Sequence, residues 1–225
     1  MANSFSIRVS DNIATLMNTP EPVVALNLMG LSLLSAKWFD PNRSVFWIDG
    51  IMGSAMCKIA RISIRRMPGR DLLAQTIAHI GSNMADRPIA VIGASQEVVK
   101  MAALLGRKPM QLDMPWIQSR EQAAKLNFSG LTTKHIVFLA IGSPKQEWVA
   151  NAIFSNVGAK CFCVGGAVNM LEGRERAAPV FFQKFGIEWL YRLGSDPKRR
   201  LTRLFSSLPN GIKNLRHARS MRRLY

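Results

Sequence analysis

Five short apolar runs recur along the chain, and segments long enough to form a helix separate them. The runs are continuous rather than alternating, which is typical of strands buried on both faces of a parallel sheet. They cover residues 23–29, 44–49, 88–94, 134–142 and 161–167. The pattern predicts an α/β fold with a mostly parallel sheet and flanking helices.

Two of the separating segments have helical periodicity followed by a glycine, residues 71–82 and 95–106. A length of 225 residues with 48% hydrophobic side chains suits one sizeable domain, or one domain with an appendage.

The formal charge of +16 implies an anionic partner. Nucleic acid, an anionic membrane and a phosphate-rich substrate all satisfy that requirement.

Basic residues concentrate after residue 190. From Arg192 to Tyr225 there are ten Lys or Arg and one acid. Leucines and a phenylalanine follow helical spacing there, at Leu201, Leu204, Phe205 and Leu208. Residues 209–211, "PNG", are expected to end this helix. We therefore predict a core over residues 1–190 and a basic, amphipathic helical appendage over residues 191–225.

Cysteine usage and the N-terminal region favour a reducing cytosol. The three cysteines, Cys57, Cys161 and Cys163, form no disulfide framework, and no His or Cys cluster has metal-ligand spacing. The first residues lack the layout of a signal peptide. The most apolar run, residues 23–36, is shorter than a membrane span.

Polar residues gather where three of the predicted strands end, which is where open α/β sheets bind ligands. Asp49 precedes a glycine, residues 142–147 read "GSPKQE", and residues 164–170 read "VGGAVNM". Gln146 is expected to be exposed there and to contribute little packing. Plainer explanations stay open: Asp-Gly is a common turn, and Glu147 can simply offset a helix dipole.

An ordered series of motifs resembles the WecG/TagA/CpsF family of bacterial glycosyltransferases. The series runs "ALN", "DG", "RMPGRDL", "GSPKQE", "VGGAVNMLEG" and "GIEWLYRLGSDPKRRLTR". It extends from about residue 20 to residue 205. Each motif is modest alone, and the series in this order is specific.

The resemblance implies a Rossmann-like α/β core and an inverting sugar transfer without an essential metal or other cofactor. The donor would be a UDP-sugar of the UDP-N-acetylmannosamine, UDP-N-acetylmannosaminuronic acid or UDP-glucose type. The acceptor would be a polyprenyl-diphosphate-linked sugar on the inner face of the cytoplasmic membrane, where the enzyme would lie as a peripheral protein. The products would be cell-surface polysaccharides or exopolysaccharides.

The resemblance also implies residue roles. Asp49 matches the general base, which would take a proton from the acceptor hydroxyl. Arg192, Arg199 and Arg203 match arginines of the appendage that would meet diphosphate oxygens, because a guanidinium binds phosphate bidentately and stays charged. Arg66 occupies the position of the family's pocket arginine, and Gln146 matches a ligand of the donor or acceptor sugar. The strand-end loops and the resemblance together predict these substrate-binding residues: Asn27, Arg66, Gly142, Pro144, Lys145, Gln146, Glu147, Gly165, Arg192, Arg199 and Arg203. No metal ligand is predicted.

Three positions depart from the family pattern. Ala25 stands where a Thr is frequent, Asn169 replaces an Asp, and Ala177 fills an Arg position. These departures bear on the identity of the donor sugar more than on the class of reaction.

Two alternatives to an enzyme remain. A non-catalytic basic module that binds nucleic acid or membrane would explain the charge, although it would not explain three polar strand ends, and no nucleic-acid-binding signature is present. A peripheral membrane scaffold of the same fold is the second. The glycosyltransferase interpretation includes no nucleic-acid partner, and it leaves the oligomeric state open, a homo-oligomer included.

Overall fold

The structure is a computed structural model that describes residues 6–93, 95–112, 114–168, 179, 181–182, 190–191, 194 and 197–225. Within this part of the chain, eight strands form one parallel sheet in the order β5-β4-β6-β7-β2-β3-β1-β8. The strands are β1 (Ile7–Val9), β2 (Val23–Leu26), β3 (Val45–Ile48), β4 (Ile89–Ile92), β5 (Met110–Gln111), β6 (Ile136–Leu139), β7 (Lys160–Cys163) and β8 (Met221–Arg223).

Helices connect the strands. They are α1 (Ile13–Asn18), α2 (Leu28–Leu33), α3 (Gly50–Ile59), α4 (Gly69–Asn83), α5 (Ser95–Leu105), α6 (Arg120–Ala124), α7 (Lys145–Asn156) and α8 (Pro197–Asn214), with 3-10 turns at Pro41–Arg43 and Leu215–Ser220. The predicted α/β class is confirmed. The five predicted strands and two predicted helices are all present, and each strand is shorter than the apolar run that predicted it.

The chain divides into two units by its internal contacts. The first comprises residues 1–11, 25–68 and 176–225, and the second comprises residues 12–24 and 69–175.

Hydrophobic side chains fill the five predicted strands on both faces. Every residue of β2, β3, β4, β6 and β7 is buried. In the second unit, Phe138 stacks on Phe162 with ring centroids 5.8 Å apart. Burial on both faces is the physical reason for the continuous apolar runs.

Register aligns three strand ends in the second unit. Ile92 on β4 is level with Leu139 on β6, and Leu139 is level with Cys163 on β7. The loops that follow these residues therefore leave the sheet at the same height, at the carboxyl edge where α/β proteins bind ligands.

Residues 209–211 do not end the C-terminal helix, and the prediction that they would is wrong. Helix α8 continues through Pro209 to Asn214. Gly211 lies so close to α2 that a Cβ would come within 2.5 Å of Leu28 Cδ1. Asn214 is fully buried, and its Nδ2 donates to Leu31 O at 2.7 Å. Packing on α2 thus holds the helix together beyond the proline, whose own side chain is exposed.

Strand β8 was not predicted. Met221 and Arg223 pair in parallel with Ile7 and Val9 of β1, and Arg223 Nη2 donates to Asp11 Oδ1 at 3.0 Å. Part of the segment predicted as an appendage therefore belongs to the sheet.

The three cysteines are free and buried. Burial raises the pKa of Cys57 to about 11 and that of Cys161 to about 12.

Among the described residues, no helix is both long and apolar enough to cross a membrane. No group of three or more His, Cys, Asp or Glu side chains in this part of the chain could hold a metal ion.

Candidate active site

Asp49 lies between β3 and α3 in the first unit and is partly exposed. It occupies the N-cap position of α3, but its side chain makes no capping hydrogen bond to that helix. Its Oδ2 instead accepts from Asn27 Nδ2 at 3.3 Å. A partly exposed carboxylate that does not cap its own helix is a candidate for proton transfer.

Asn27 holds this carboxylate while capping a second helix. Its Oδ1 accepts from Gly30 N at 3.0 Å, which satisfies an amide in the first turn of α2. The amide group of Asn27 is therefore oriented by α2, with its N–H directed to Asp49. Asn27 had been predicted as a substrate ligand, and the structure reveals a contact to the candidate base that the sequence did not.

A close approach of backbones brings these two residues together. Gly53 on α3 packs against the end of β2, where a Cβ would lie only 2.0 Å from Leu26 O. Leu26 O also accepts from Asp49 N at 3.4 Å. Only a glycine at position 53 lets α3 lie this close to Leu26, the residue that precedes Asn27.

Arg66 lies in the extended segment between α3 and α4. The next residue, Met67, donates its backbone N–H to Ile48 O at 2.8 Å, so the segment is attached to the residue before Asp49. Arg66 is partly exposed and already has an interaction within the protein. The first unit thus brings the sequence segments of Asn27, Asp49 and Arg66 together.

The "GSPKQE" loop of the second unit forms a tight turn into α7. Gly142 O accepts from Lys145 N at 3.1 Å and from Gln146 N at 3.3 Å. Pro144, which follows a cis peptide bond, occupies the N-cap position. The first turn of a twelve-residue helix therefore begins directly after the β6 strand end.

Gln146 is buried, with an exposed fraction of 6%, so the expectation that it is exposed is wrong. Its side chain folds back onto the turn, where Nε2 donates to Ser143 Oγ at 2.7 Å and to Glu147 Oε1 at 2.9 Å. Glu147 is also buried, and it accepts from Ser143 Oγ at 2.7 Å. The sequence places Gln146 at a strand end, but it does not show that local polar partners draw the side chain inward.

Gly165 faces this cluster from the end of β7. It has a φ of +52°, and its N–H donates to Leu139 O at 3.0 Å. A Cβ at this position would lie 3.7 Å from Gln146 Oε1. Cys163, the last residue of β7 and two residues before Gly165, has its Sγ 3.8 Å from Gln146 O. Burial and the charge of Glu147 raise its pKa well above the usual range, so it is a neutral thiol.

Trp116 is a candidate that the sequence interpretation missed. Its side chain is 79% exposed, and Lys145 Nζ lies 3.5 Å from the ring centroid. A cation–π contact of this kind directs the lysine toward the loop of residues 114–118. The available signal was a large aromatic residue directly after a proline.

A cavity of about 310 Å³ lies beside that loop. Its lining residues are Ile92, Leu112, Met114, Pro115, Lys125, Leu126, Asn127 and Phe128. Ile92 is the last residue of β4, so the cavity opens at the carboxyl edge of the sheet. None of the lining residues was predicted as a ligand.

The predicted arginines of the C-terminal segment are only partly described. Arg192 and the side chain of Arg199 lie outside the described residues, as do Asn169 and Ala177. Arg203 is exposed on α8.

Open parallel α/β sheets bind ligands beyond the carboxyl ends of their strands, and in each unit polar side chains lie at such strand ends. The family model described as glycosyl transferase WecG/TagA/CpsF family matches residues 11–223, and the chain belongs to that family. Membership identifies a glycosyltransferase of cell-surface polysaccharide synthesis that uses a sugar donor and a lipid-linked acceptor. It favours an enzyme over a nucleic-acid-binding module.

Proposed function

We propose that the chain is an inverting glycosyltransferase that moves a sugar from a UDP-sugar to a polyprenyl-diphosphate-linked sugar. Family membership across residues 11–223 is the observation that carries this proposal. The contact between Asp49 and Asn27 supports it, because a general base needs a fixed and accessible carboxylate.

In the proposed reaction, Asp49 accepts the proton of the acceptor hydroxyl as that oxygen attacks the anomeric carbon. The bond from this carbon to the diphosphate oxygen breaks, its electron pair leaves with UDP, and the configuration inverts. Asn27 keeps the carboxylate in position. Arginines such as Arg66 and Arg203 offset the charge on the leaving diphosphate, which removes the need for a metal ion.

Helix α8 supports a peripheral position on an anionic membrane. Leu201, Phe205, Leu208 and Ile212 share one face of the helix at a spacing of i, i+4, i+7 and i+11. Phe205 is 67% exposed and Ile212 is 55% exposed. A basic helix that presents apolar side chains to solvent fits the headgroup region of an anionic bilayer.

The opposite side of α8 faces the protein. Ser207 is buried with its Oγ 3.6 Å from Met29 Sδ, and Gly211 and Asn214 contact α2 as described above. Ser207, Gly211 and Asn214 therefore pack on the protein, while Phe205 and Ile212 are largely exposed and Leu208 is half-buried. Exposed apolar side chains on a basic helix support residues 191–225 as the membrane-docking segment on the inner face of the cytoplasmic membrane.

A donor screen tests the proposed function. The full chain would be incubated with UDP-N-acetylmannosamine, its uronic acid and UDP-glucose, each with a polyprenyl-diphosphate-linked N-acetylated sugar, and the products read by mass spectrometry. We expect one donor to give a lipid product longer by one sugar and of inverted configuration. Binding to heparin that exceeds binding to anionic vesicles, with no transfer from any donor, would overturn the proposal in favour of a nucleic-acid-binding module.

A further inference from the structure

Helix α3 presents apolar side chains to solvent on the side away from the sheet. Ile51 is 47% exposed and Ile59 is 54% exposed, whereas Met56 and Cys57 are buried. In an α-helix, Ile51 and Ile59 lie about 80° apart around the axis, and Lys58 lies about 20° from Ile51. Lys58 is exposed as well. These three side chains therefore share one exposed strip of α3 that is both apolar and basic.

A basic segment without acids follows this strip. Residues 50–68 contain four basic residues and no Asp or Glu. Arg61, directly after the end of α3, is exposed and has a φ of +57°, a conformation that favours glycine. The chain therefore keeps a cation at a position where a glycine would be less strained. Arg65 is exposed too.

The combination of apolar and cationic side chains decides between possible partners. Nucleic acid would attract the cations, but it offers no apolar interior to receive two isoleucines. An apolar protein surface would cover the isoleucines and leave the cations without counter-charges. An anionic bilayer satisfies both groups, because apolar side chains enter between the headgroups while Lys and Arg meet the lipid phosphates.

The strip on α3 is adjacent to the helix already proposed to bind membrane. Helices α3 and α8 both pack on α2, and α3 also contacts the 3-10 turn Leu215–Ser220 that follows α8. That turn carries two exposed cations, Arg216 and Arg219. All of these elements belong to the first unit, so the strip and α8 are parts of one surface region.

The candidate base lies at the start of the same helix. Asp49 is the N-cap residue of α3, and Ile51 follows two residues later. The family uses a lipid-linked acceptor. The hydroxyl that Asp49 would deprotonate is therefore tied to the bilayer, and a helix that begins at Asp49 has to come close to the headgroups.

We infer that α3 is a second membrane contact, at which Ile51 and Ile59 enter the headgroup region of an anionic bilayer while Lys58 and Arg61 meet lipid phosphates. The inference rests on the proposed function and adds a helix of the core to the C-terminal segment. Contact through α8 alone leaves the first unit free to rotate about that helix. The contact at α3 stops this rotation and holds the candidate base at the bilayer surface.

A fluorescent label at position 59 tests the contact without any sugar transfer. Ile59→Cys in the full chain would be labelled with nitrobenzoxadiazole and mixed with vesicles of phosphatidylglycerol and phosphatidylethanolamine. The three native cysteines are buried, so the dye reacts at the introduced thiol. We expect a severalfold rise in emission and quenching by spin-labelled lipid. Val99→Cys, at an exposed apolar position of α5, is the matched control and should show neither change.

Substitutions measure how much the strip contributes to binding. Ile59→Ser should weaken binding to the same vesicles about threefold to tenfold, because it removes one apolar side chain from the contact. Lys58→Gln should weaken binding about threefold to fivefold. Lys134→Gln removes the same charge from an exposed position of the second unit and should have a smaller effect.

The same variant separates membrane contact from chemistry. For Ile59→Ser, kcat/KM should fall with a lipid-linked acceptor in vesicles and stay unchanged with a soluble acceptor analogue, because residue 59 lies at the far end of α3 from Asp49. Equal loss with both acceptors would mean that the substitution disturbs the site itself, and the assignment of α3 to the bilayer would be withdrawn.

Three results of the label experiment would overturn the inference. The first is sedimentation of the labelled chain with vesicles and no emission change at position 59. The second is no vesicle binding by the wild-type chain. The third is emission that rises with protein concentration without vesicles, which would show that a second copy covers α3. If the label enters the bilayer but no UDP-sugar is used, the contact stands and the proposed reaction fails.

Discussion

At residue scale, Asp49 carries the proposed proton transfer. Asp49→Asn keeps the shape of the side chain and can still contact Asn27, but it cannot accept the proton. We expect kcat to fall about a hundredfold or more, measured with a soluble acceptor analogue and the donor found in the screen. Asp86→Asn, an exposed aspartate in a turn of the second unit, is the control and should keep full activity. A loss smaller than about threefold at Asp49 would mean that another group takes the proton.

The structure changes how two of the predicted residues are understood. Asn27 and Asp49 were predicted separately, and their contact depends on the close approach of α2 and α3 to the end of β2 at Gly30 and Gly53, which no local pattern encodes. Gln146 was predicted to be exposed because its position follows a strand. Its burial results from hydrogen bonds to Ser143 and Glu147, and sequence alone does not indicate which of several nearby polar partners a side chain selects.

At the scale of the elements, replacing either of two helical glycines by alanine should change stability in opposite directions, because the glycines have different surroundings. Gly53→Ala on α3 would force a Cβ to within 2.0 Å of Leu26 O, a backbone atom that cannot move aside. We expect a loss of about 2 kcal/mol or more in the free energy of unfolding. Gly81→Ala on α4 meets no atom within 4 Å and should gain about 1 kcal/mol, because alanine has the higher helix propensity.

Urea unfolding of both variants checks this pair. A similar midpoint for Gly53→Ala and the wild type would show that α3 can shift away from β2, and the close approach would then not be needed to hold Asp49 beside Asn27.

The outward face of α8 predicts vesicle binding. Phe205→Ser and Ile212→Ser should each weaken binding to anionic vesicles about tenfold, because burial of a large apolar side chain contributes about 1.5–3 kcal/mol. Val99→Ser replaces another exposed apolar residue, on α5, and should bind as the wild type does. Sedimentation with vesicles measures the effect. Equal binding by all three variants would remove α8 from the membrane contact.

Two exposed arginines separate membrane attraction from chemistry. Arg203→Gln on α8 should lower transfer to a soluble acceptor analogue, because we propose that this side chain meets the diphosphate. Arg222→Gln on β8 should weaken only vesicle binding. If both variants transfer normally to the soluble analogue, the segment is an anchor and does not enter the active site. Deletion of the segment is a poorer test, because it would also remove β8 from the sheet.

Among the strands, the apolar content of the sequence determined which ones could be predicted. β2, β3, β4 and β6 are apolar throughout and β7 is apolar after Lys160, its first residue, and these five strands were predicted. By contrast, β1 and β8 contain arginines at Arg8, Arg222 and Arg223, and β5 is only two residues long. Pro209 led to the wrong prediction that the C-terminal helix ends at residues 209–211, because packing of α8 on α2 outweighs the local preference of a proline to end a helix.

At the scale of the whole molecule, two expectations can be tested: sugar transfer needs no metal ion, and the net charge drives binding to vesicles. The sequence has no D-x-D pair, and arginines are available to offset the leaving diphosphate, so we expect transfer to survive EDTA. Vesicle binding should weaken as salt rises, because the attraction comes from a net charge of +16. Loss of transfer on chelation, with recovery in magnesium or manganese, would contradict the metal-independent mechanism.

The pairing of β8 with β1 has a consequence for biosynthesis. Ser10 Oγ donates to Leu224 O across 214 positions of sequence, and Arg223 bonds Asp11 across 212. A ribosome releases the β1 region long before the β8 region exists, so the first unit cannot close until residues 221–223 have been synthesised. Helix α8 emerges in the same late interval. The nascent chain therefore acquires its membrane-facing helix and its closing strand almost together, which delays attachment to the bilayer until the fold can be completed.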